Sequence, residues 1–516
     1  MREMPMAEDS TPILVGCGQV TDRTTGFEAA RSPLDLIAEA GRLAMADAGA
    51  THLARSIDTV AMVRLFSESS PRFITKLGTS TNPPKSIANR LGIDARRYVY
   101  TSSGGNMPQY LVNAFAEAIA KGEIRAALIA GGEALRTQNG LEREGRSDLW
   151  NEDPGGEPEL VGEMRRAWND VEDRHRARAA TAMYPLLENA IRGLRRRSIE
   201  EHLASMGQLF ARFSRVAADN PLATRRERFS AERLATVGEE NRWIGFPYPR
   251  LMVSSAYVDQ AAALIMTSVG EARRLGIPQA KWVYLHGCAD GHDHWYVSDR
   301  IELHSSPAIR WGAKLALEMA GISLDDVQLF DLYSCFPAAV EIGCRELGLA
   351  EDDPRGLTVT GGLAYFGGPG NNYVTHSIAE MIRRVRAKPG SYGLVSAIGN
   401  YVTKHSFGIY STAPVRGAWR RESPSVLQAR LDALPTSPFV EHASGAATIE
   451  TYTVMHSKTG PEYSVLFGRL NENGARFVAN SVADPKVLAD LQDRDSLGRT
   501  GTVHNQAGQN IFVPED

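Results

Sequence analysis

The chain has 516 residues, a formal net charge of −4 and ordinary contents of apolar and charged residues. This length accommodates about two to four domains. The charge gives no reason to expect nucleic-acid binding. The sequence has no signal-peptide pattern and no apolar run long enough to span a membrane, so we expect no membrane association. The four cysteines form no C-x-x-C pair, so we expect neither disulfides nor a zinc ribbon, and we expect a cytoplasmic location.

The first part of the chain alternates strand and helix patterns. "TPILVGCGQV" is a short apolar run typical of a buried strand. "SPLDLIAEAGRLAMADAGA" predicts a helix with Ser32 as its N-cap, Pro33 in its first turn and Gly49 at its end. Strands in "SIDTVAMVRLF" and "RRYVY", a helix from Met107 to Lys121 and a strand in "AALIAGGEAL" follow.

A similar order of patterns returns in the second part. Ser306–Pro307 repeats Ser32–Pro33, Ala320–Gly321 repeats Ala48–Gly49, and "SYGLVSAIGNYV" is similar to "AALIAGGEAL". Equivalent positions are roughly 270 residues apart. Either one β-α-β-α-β unit occurs twice, or two unrelated α/β segments share a common pattern.

Two regions depart from this alternation. Residues 140–255 are mostly helical in pattern and include a capping box from Ser198 to Glu201, so we interpret them as an insertion. Residues 416–516 contain short β-type runs separated by turns such as "NENG". We therefore predict a first α/β half at 10–275 that contains the insertion, a second half at 276–412, and a β-barrel domain at 416–516.

The segment "TSSGGN" at 101–106 lies between a predicted strand and a predicted helix. A strand-to-helix turn can expose a reactive side chain, or its backbone amides can hold an anionic group at the helix N-terminus. Alternatively, the turn is only structural, with Asn106 capping the following helix.

Six segments together resemble the thiolase superfamily, and in particular the sterol-carrier-protein-type thiolases and the bacterial thiolase-like proteins. They are "TSSGG" (101–105), "AGGEAL" (130–135), "SSAYVDQAAA" (254–263), "YSCF" (333–336), "GGLAYFGGPGNN" (361–372) and "AIGN" (397–400). The resemblance covers about residues 10–412. It implies an α/β fold in which a duplicated core forms five layers, α/β/α/β/α, with a helical loop domain. The tail is then an additional all-β barrel, of which an OB fold is one candidate.

Thiolases transfer acyl groups between an enzyme cysteine and coenzyme A, and they form or cleave the carbon–carbon bond beside the thioester. The resemblance places Thr101 where these enzymes have the nucleophilic cysteine, Gly368 where they have a histidine, and Ala397 where they have a second cysteine. Tyr333 replaces the asparagine or histidine of the second loop. A hydroxyl is much less acidic than a thiol, so the usual two-cysteine mechanism is not expected.

Three residues remain candidates for catalysis. Thr101 could act in a modified nucleophile loop. Cys335 could be a displaced nucleophile, although free cysteines are more often buried packing residues. His405, a few residues after the fourth loop, could supply the missing base, or it could simply pack in the core.

The resemblance also implies ligand-binding residues. Ser255 matches the serine that contacts pantetheine, and we expect Ser103, Gly104, Phe336 and Asn372 around the thioester. Asn371 and Asn372 could bind its carbonyl oxygen, or they could be turn residues. Arginines in "IRGLRRRSIEE" and "TRRERF" could pair with the phosphates of coenzyme A, or they could lie on solvated helix faces.

A group of three histidines, His286, His292 and His294, lacks the orderly spacing of a metal site, so we expect no metal.

From the resemblance, the predicted function is that of a coenzyme A or acyl-CoA-binding protein of lipid metabolism, in the acetyl-CoA acetyltransferase family, without the usual catalytic groups. The alternative is a non-catalytic acyl-CoA-binding or scaffolding protein that recruits a partner through its C-terminal domain. Turnover of an acyl-CoA would separate the two.

Overall fold

The computed structural model describes residues 7–24, 26 and 30–515. The first half and the insertion contain β1 (Pro12–Thr21), α1 (Pro33–Ala48), α2 (Leu53–Ser56), β2 (Thr59–Met62), α3 (Phe66–Ser69), α4 (Pro83–Leu91), β3 (Arg97–Thr101), α5 (Met107–Ala120), β4 (Ala126–Ala134), α6 (Leu135–Arg143), β5 (Glu159–Val161), α7 (Asp170–Arg174), α8 (Ala180–Arg195), α9 (Ile199–Asp219), α10 (Ala231–Ala235), β6 (Trp243–Gly245), β7 (Tyr248–Pro249), β8 (Asp259–Ser268) and α11 (Val269–Arg274).

The second half and the tail contain β9 (Val283–His292), α12 (Pro307–Ala320), β10 (Val327–Asp331), α13 (Pro337–Leu347), α14 (Tyr373–Ala387), β11 (Tyr392–Gly399), β12 (Lys404–Ser411), α15 (Pro424–Asp432), β13 (Gly445–Ser457), β14 (Gly460–Leu470), β15 (Arg476–Ser481), α16 (Pro485–Asp493), β16 (Thr500–Gln506) and β17 (Gln509–Pro514). Among the described residues, no helix combines the length and the apolarity that crossing a membrane requires.

The two halves of the core share the order and directions of four strands, β2-β4-β8-β1 and β10-β11-β12-β9, which confirms the duplication. The first half has the strand order β3-β2-β4-β8-β1, in which β8 is antiparallel to both of its neighbours. The second half has the order β10-β11-β12-β9, in which β12 is antiparallel to both of its neighbours. The two sheets meet where Ile13 and Leu14 of β1 pair with β9.

The helices complete five layers, as the resemblance implies. The helices α5 and α14 pack against each other and against strands of both sheets, so they form the middle layer. The helices α1 and α4 cover the outer face of the first sheet, and α12 and α13 lie on the outer side of the second. Strands of the core are buried along nearly their whole length, which explains their continuous apolar runs.

The repeated Ser-Pro pairs begin equivalent helices. The Ser32 hydroxyl accepts the Asp35 amide of α1, and the Ser306 hydroxyl accepts the Ile309 amide of α12. Both helices end at a glycine in the left-handed region, where φ is 73° at Gly49 and 65° at Gly321. These caps explain why the two segments have the same sequence pattern.

The insertion is mostly helical, and the capping box from Ser198 to Glu201 is present at the start of α9. Its short strand β5 pairs in parallel with β3, so β3 is not an open edge of the first sheet. Its strands β6 and β7 extend the sheet of the C-terminal domain, because Gly245 pairs with Met455 of β13. The insertion and the tail therefore share a sheet.

The tail forms a closed barrel of five strands in the order β13-β14-β15-β17-β16, and β16 pairs back to β13. The strands β15 and β17 are parallel, and α16 lies between β15 and β16 in the chain. This is the arrangement of an OB fold. The helix α15 precedes the barrel and packs instead against β9 and α12 of the second half.

Candidate functional site: the loops around the turn from Thr101 to Asn106

Thr101 is the last residue of β3, and its side chain is fully buried. Its hydroxyl oxygen accepts the amide hydrogen of Arg64 at 3.0 Å, and its carbonyl oxygen accepts Nε of Arg64 at 2.7 Å. Both polar groups of Thr101 thus bind the segment that follows the neighbouring strand β2. In this arrangement Thr101 holds two strand ends together.

The backbone amides of the turn are also engaged. The Gly104 amide donates to Oδ1 of Asn371 at 2.8 Å, and the Ser103 hydroxyl lies 3.3 Å from the same oxygen. The Ser102 amide donates to the Val161 carbonyl of β5 at 2.7 Å. The expected cradle for a thioester at Ser103 and Gly104 therefore has its Gly104 donor occupied by Asn371.

The two asparagines of the third loop have different roles. Nδ2 of Asn371 donates to the Arg64 carbonyl at 2.8 Å, so its side chain connects the turn to the end of β2. Asn372 faces elsewhere: its Oδ1 accepts the Thr375 hydroxyl at 2.6 Å and lies 2.3 Å from where a Cβ of Gly131 would be. The residue that contacts the turn is Asn371, and the adjacent Asn372 packs against β4.

The glycines of the turn allow polar side chains to approach the backbone closely. A Cβ at Gly104 would lie 2.5 Å from Oδ1 of Asn106 and 2.7 Å from Nζ of Lys404. A Cβ at Gly105 would lie 2.2 Å from the Tyr333 hydroxyl. Asn106 does not cap α5 through its side chain, and its buried Oδ1 has no hydrogen-bond partner in the described part of the chain. Three polar side chains therefore converge on this turn.

Lys404 brings an amine to the turn. Its amine donates to the Ser103 carbonyl oxygen and lies 5.8 Å from the centre of the Trp295 ring. The side chain is 7% exposed, and burial lowers its pKa to about 8. Sequence reasoning missed Lys404 because it selected the neighbouring histidine as the substitute base.

His405 faces the opposite side of β12, because successive side chains of a strand alternate between the two faces. Its Nε2 lies 3.3 Å from the Ser306 hydroxyl and 3.3 Å from Asp293. Ser306 also donates to Asp293 and caps α12. His405 is thus part of the buried structure at the start of α12, and its position does not support the expected role as a base for Thr101.

Cys335 lies in the loop between β10 and α13, next to the other candidate loops. It is buried, its carbonyl oxygen accepts the Ser254 amide at 3.2 Å, and burial raises the pKa of its thiol to about 12. A thiol with this pKa contains almost no thiolate near neutral pH. The adjacent Phe336 stacks on Tyr184 at 4.5 Å and packs against Tyr248 at 5.2 Å, so it belongs to an aromatic cluster.

The third loop is bound to the segment that contains Ser255. The Ser255 amide donates to the Leu363 carbonyl at 3.0 Å, and the Gly368 amide donates to the Ser255 carbonyl at 2.8 Å. A Cβ at Gly368 would lie 2.4 Å from the Ser254 hydroxyl. The space next to Gly368 is therefore filled by Ser254. Ala397, in β11, is fully buried.

The insertion reaches the other side of the third loop through Thr224 and Arg225. Their amides donate to the carbonyl oxygens of Phe366 and Tyr365, at 2.8 and 2.9 Å. Nη1 of Arg225 is buried and has no hydrogen-bond partner among the residues that the structure describes. Burial lowers the pKa of Arg225, and the positive charge of Arg250 lowers it further. A guanidinium nitrogen without a partner in the described part of the chain thus lies beside the third loop.

The three histidines that we considered as metal ligands bind main-chain carbonyl groups. Nε2 of His286 contacts Ala413 at 2.8 Å, Nδ1 of His292 contacts Asp293 at 2.8 Å, and Nε2 of His294 contacts Pro435 at 3.1 Å. Each of these rings thus has its own backbone partner.

Comparisons with known proteins agree with this fold. Residues 426–508 match the family described as thiolase-like protein type 1 additional C-terminal domain. Among curated proteins, a 3-ketoacyl-CoA thiolase of Salmonella heidelberg is 28% identical over 158 residues, which are 28% of this chain and 34% of that protein. The chain thus matches only about a third of the length of these curated relatives.

Solved structures extend the similarity to the whole chain. Human mitochondrial 3-ketoacyl-CoA thiolase (16% identity, 78% of this chain, 98% of that chain, TM-score 0.55) and an Ltp2–ChsH2(DUF35) aldolase (19%, 78%, 98%, 0.57) share the fold of the core. A monomeric SCP2-thiolase-like protein type 1 from Mycobacterium smegmatis is 39% identical, with 98% of this chain and 99% of that chain covered and a TM-score of 0.83. The chain belongs to the SCP2-thiolase-like protein type 1 family.

Proposed function

We propose that the chain binds coenzyme A or an acyl-CoA thioester where the insertion meets the third loop, and that it does not catalyse thiolysis. The observation that carries this proposal is the unpaired guanidinium nitrogen of Arg225 beside the third loop. The curated relatives are named 3-ketoacyl-CoA thiolases, which supports a coenzyme A thioester as the ligand.

The charge at Arg225 fits a phosphate group. Two cations, Arg225 and Arg250, lie close enough for one to lower the pKa of the other, so an anion between them would remove an unfavourable interaction. Guanidinium groups bind phosphate oxygens through paired N–H donors. The Ser255 segment, which is bound to the same third loop, supports a pantetheine arm that leads from this position toward Cys335.

The proposed lack of thiolysis follows from the state of the possible nucleophiles. The Thr101 hydroxyl is buried and accepts the Arg64 amide, and the Cys335 thiol has a pKa of about 12. The position of the family histidine is taken by Gly368, with Ser254 packed against it. A nucleophile of this kind requires an adjacent base, and the amine of Lys404 at this turn is bound to the Ser103 carbonyl.

Calorimetry with the full chain tests the binding site. Coenzyme A should bind with a dissociation constant in the micromolar to millimolar range, about −4 to −8 kcal/mol. Arg225→Met should weaken binding about tenfold, or about 1.4 kcal/mol, and should leave binding of pantetheine, which lacks the nucleotide phosphates, unchanged. Arg215→Met, on the exposed face of α9, is the matched control and should have no effect. The absence of heat and of thermal stabilisation with millimolar coenzyme A would refute the proposal.

The competing function is a non-catalytic acyl-CoA-binding scaffold that recruits a protein partner through the barrel. One structural neighbour is described as an Ltp2–ChsH2(DUF35) aldolase, which supports a partner for proteins of this fold. Conversion of any acyl-CoA by the purified chain would show that the chain is not merely a scaffold.

All four cysteines are free, which fits a reducing compartment, and we place this function in the lipid metabolism of the cytoplasm.

A further inference from the structure

Three buried side chains from three helices meet behind the loop that contains Cys335 and Phe336. They are Glu188 of α8, His202 of α9 and Glu341 of α13, each at most 1% exposed. Each offers a ligand atom, and these atoms all lie within 4.8 Å of one another. The cluster thus connects two helices of the insertion to one helix of the second half of the core.

Glu341 is poorly satisfied for a buried carboxylate. Neither of its oxygen atoms accepts a hydrogen bond from any residue that the structure describes, although buried polar groups are nearly always paired. The nearest cation is Arg195, whose Nη1 lies 3.4 Å from Oε1 of Glu341 and whose Nη2 binds Glu351. Nδ1 of His202 is also buried and has no partner within the described ranges.

Glu188, in contrast, is held in place. Its Oε1 lies 2.6 Å from Nε2 of His202, and its Oε2 accepts the Tyr248 hydroxyl at 2.5 Å. Two carboxylates therefore share a buried space with one guanidinium that already pairs with a third carboxylate. A buried negative charge must be neutralised by a proton or balanced by a cation. A divalent cation would balance the negative charges of both carboxylates, and the oxygen atoms of Glu341 could bind it.

We propose that Glu188, His202 and Glu341 bind one divalent transition-metal ion, for which Zn²⁺ is the first candidate. Two carboxylate oxygens and one imidazole nitrogen form a ligand set that suits zinc and manganese. The Tyr248 hydroxyl donates a hydrogen bond to Glu188 and thereby orients it, as partners of metal ligands commonly do. The ion connects the insertion to α13, whose first turn follows Phe336. This site does not depend on the proposed coenzyme A site.

The metal content of the tag-free full chain tests the proposal. After treatment with a chelator, the protein is dialysed with Zn²⁺ or with Mn²⁺ and analysed by inductively coupled plasma mass spectrometry. About one ion per chain is expected for the wild type. Glu341→Gln and His202→Gln should each lower the retained metal at least tenfold. Glu351→Gln, which changes another carboxylate bound to Arg195 but not a ligand, should retain the metal.

Anomalous scattering from crystals of the zinc-loaded wild type gives a second test that does not depend on the folding of any variant. A peak between the three side chains supports the site, and a peak only elsewhere overturns it. The competing occupant of the space is a proton shared between Glu188 and Glu341. In that case the wild type binds no metal by mass spectrometry or calorimetry, and Glu341→Gln leaves the thermal stability unchanged, which would refute the proposal.

Discussion

The amine of Lys404 donates a hydrogen bond to the carbonyl oxygen of Ser103, 301 residues earlier in the chain. This contact joins β12 of the second half to the turn that follows β3 of the first half. It places the Lys404 amine next to Gly104, where any side chain would collide with it. The side chain of β12 that reaches this turn is therefore the buried Lys404, with His405 facing the other way.

The burial of Lys404 predicts a pH-dependent effect of Lys404→Met. In the folded protein, burial lowers the pKa of the Lys404 amine from 10.5 to about 8. Below pH 8 the amine is protonated in both states, and the folded state bears the full cost of a buried charge. Between pH 8 and 10.5 the folded state loses its proton first, so this cost disappears. The stability of the wild type relative to Lys404→Met should thus rise over this range by up to about 3 kcal/mol.

Urea unfolding of both proteins at a series of pH values between 7 and 10.5 measures this difference. Lys388→Met, at an exposed lysine, is the matched control and measures how much any loss of an amine changes the stability in the same pH series. A constant difference between Lys404→Met and the wild type would contradict the lowered pKa.

Features that depend on neighbouring residues could be predicted from the sequence. The Ser-Pro pairs at Ser32 and Ser306 cap equivalent helices, and the capping box at Ser198 starts α9, because a cap requires only residues within one turn. The spacing of such signals left a duplicated core as one of two alternatives, which the family resemblance then favoured, and the barrel was predicted from short strands separated by turns.

The details of the site could not be predicted, because they depend on which neighbour of a pair faces the turn. Lys404 and His405 are neighbours in a strand, so their side chains lie on opposite faces. Asn371 and Asn372 are neighbours before α14, and their side chains bind different partners. A shift of one position in the chain therefore changes each contact. Nothing in the local sequence fixes that choice. The pairing of β6 with the tail likewise joins residues about two hundred positions apart.

Arg476 and Arg469 provide a matched test of how the barrel is attached to the core. Both bind Glu450, at 2.7 and 2.8 Å, but Arg476 is fully buried and also donates to the carbonyl groups of Ser298 and Ile301. Arg476→Met leaves these carbonyl groups without their donor, while Arg469 still binds Glu450, and it should cost about 3–5 kcal/mol. Arg469→Met removes a partly exposed ion pair and should cost at most about 1 kcal/mol. Equal costs in denaturant unfolding would show that the buried contacts do not hold the barrel.

A chain that ends at Thr412 should be insoluble or poorly folded. The strand β6 would lose its pairing with β13, and Phe246, which stacks on Tyr452 at 5.6 Å, would be exposed. The Phe246 amide would also lose the Val454 carbonyl as its acceptor. Exposed apolar surface and an unpaired strand edge favour aggregation. Gel filtration and circular dichroism of the truncated chain measure this, and a soluble, cooperatively folding product would show that the tail is an independent domain.

The final prediction concerns thiolysis. The wild type should show no measurable cleavage of acetoacetyl-CoA, because the Thr101 hydroxyl is buried against the Arg64 amide and, among the described residues, donates to no histidine, carboxylate or amine. Thr101→Cys alone should also be inactive, since catalytic groups that act as a unit do not restore activity one at a time. Adding Gly368→His and Ala397→Cys would supply the residue types that the resemblance implies, but a side chain at position 368 would collide with the Ser254 hydroxyl, 2.4 Å from its Cβ.

The three substitutions together should therefore lower the melting temperature and remain inactive, and the further change Ser254→Gly should recover both stability and a first trace of thiolysis. The same background with Thr101→Ser in place of Thr101→Cys should stay inactive, because a serine hydroxyl supplies no thiolate. Thiolysis is followed by the loss of acetoacetyl-CoA absorbance, and acylation by peptide mass spectrometry. Robust activity of the wild type with an acetyl group on Cys335 or Thr101 would contradict this account, because it would require a nucleophile that the buried, hydrogen-bonded side chains do not provide.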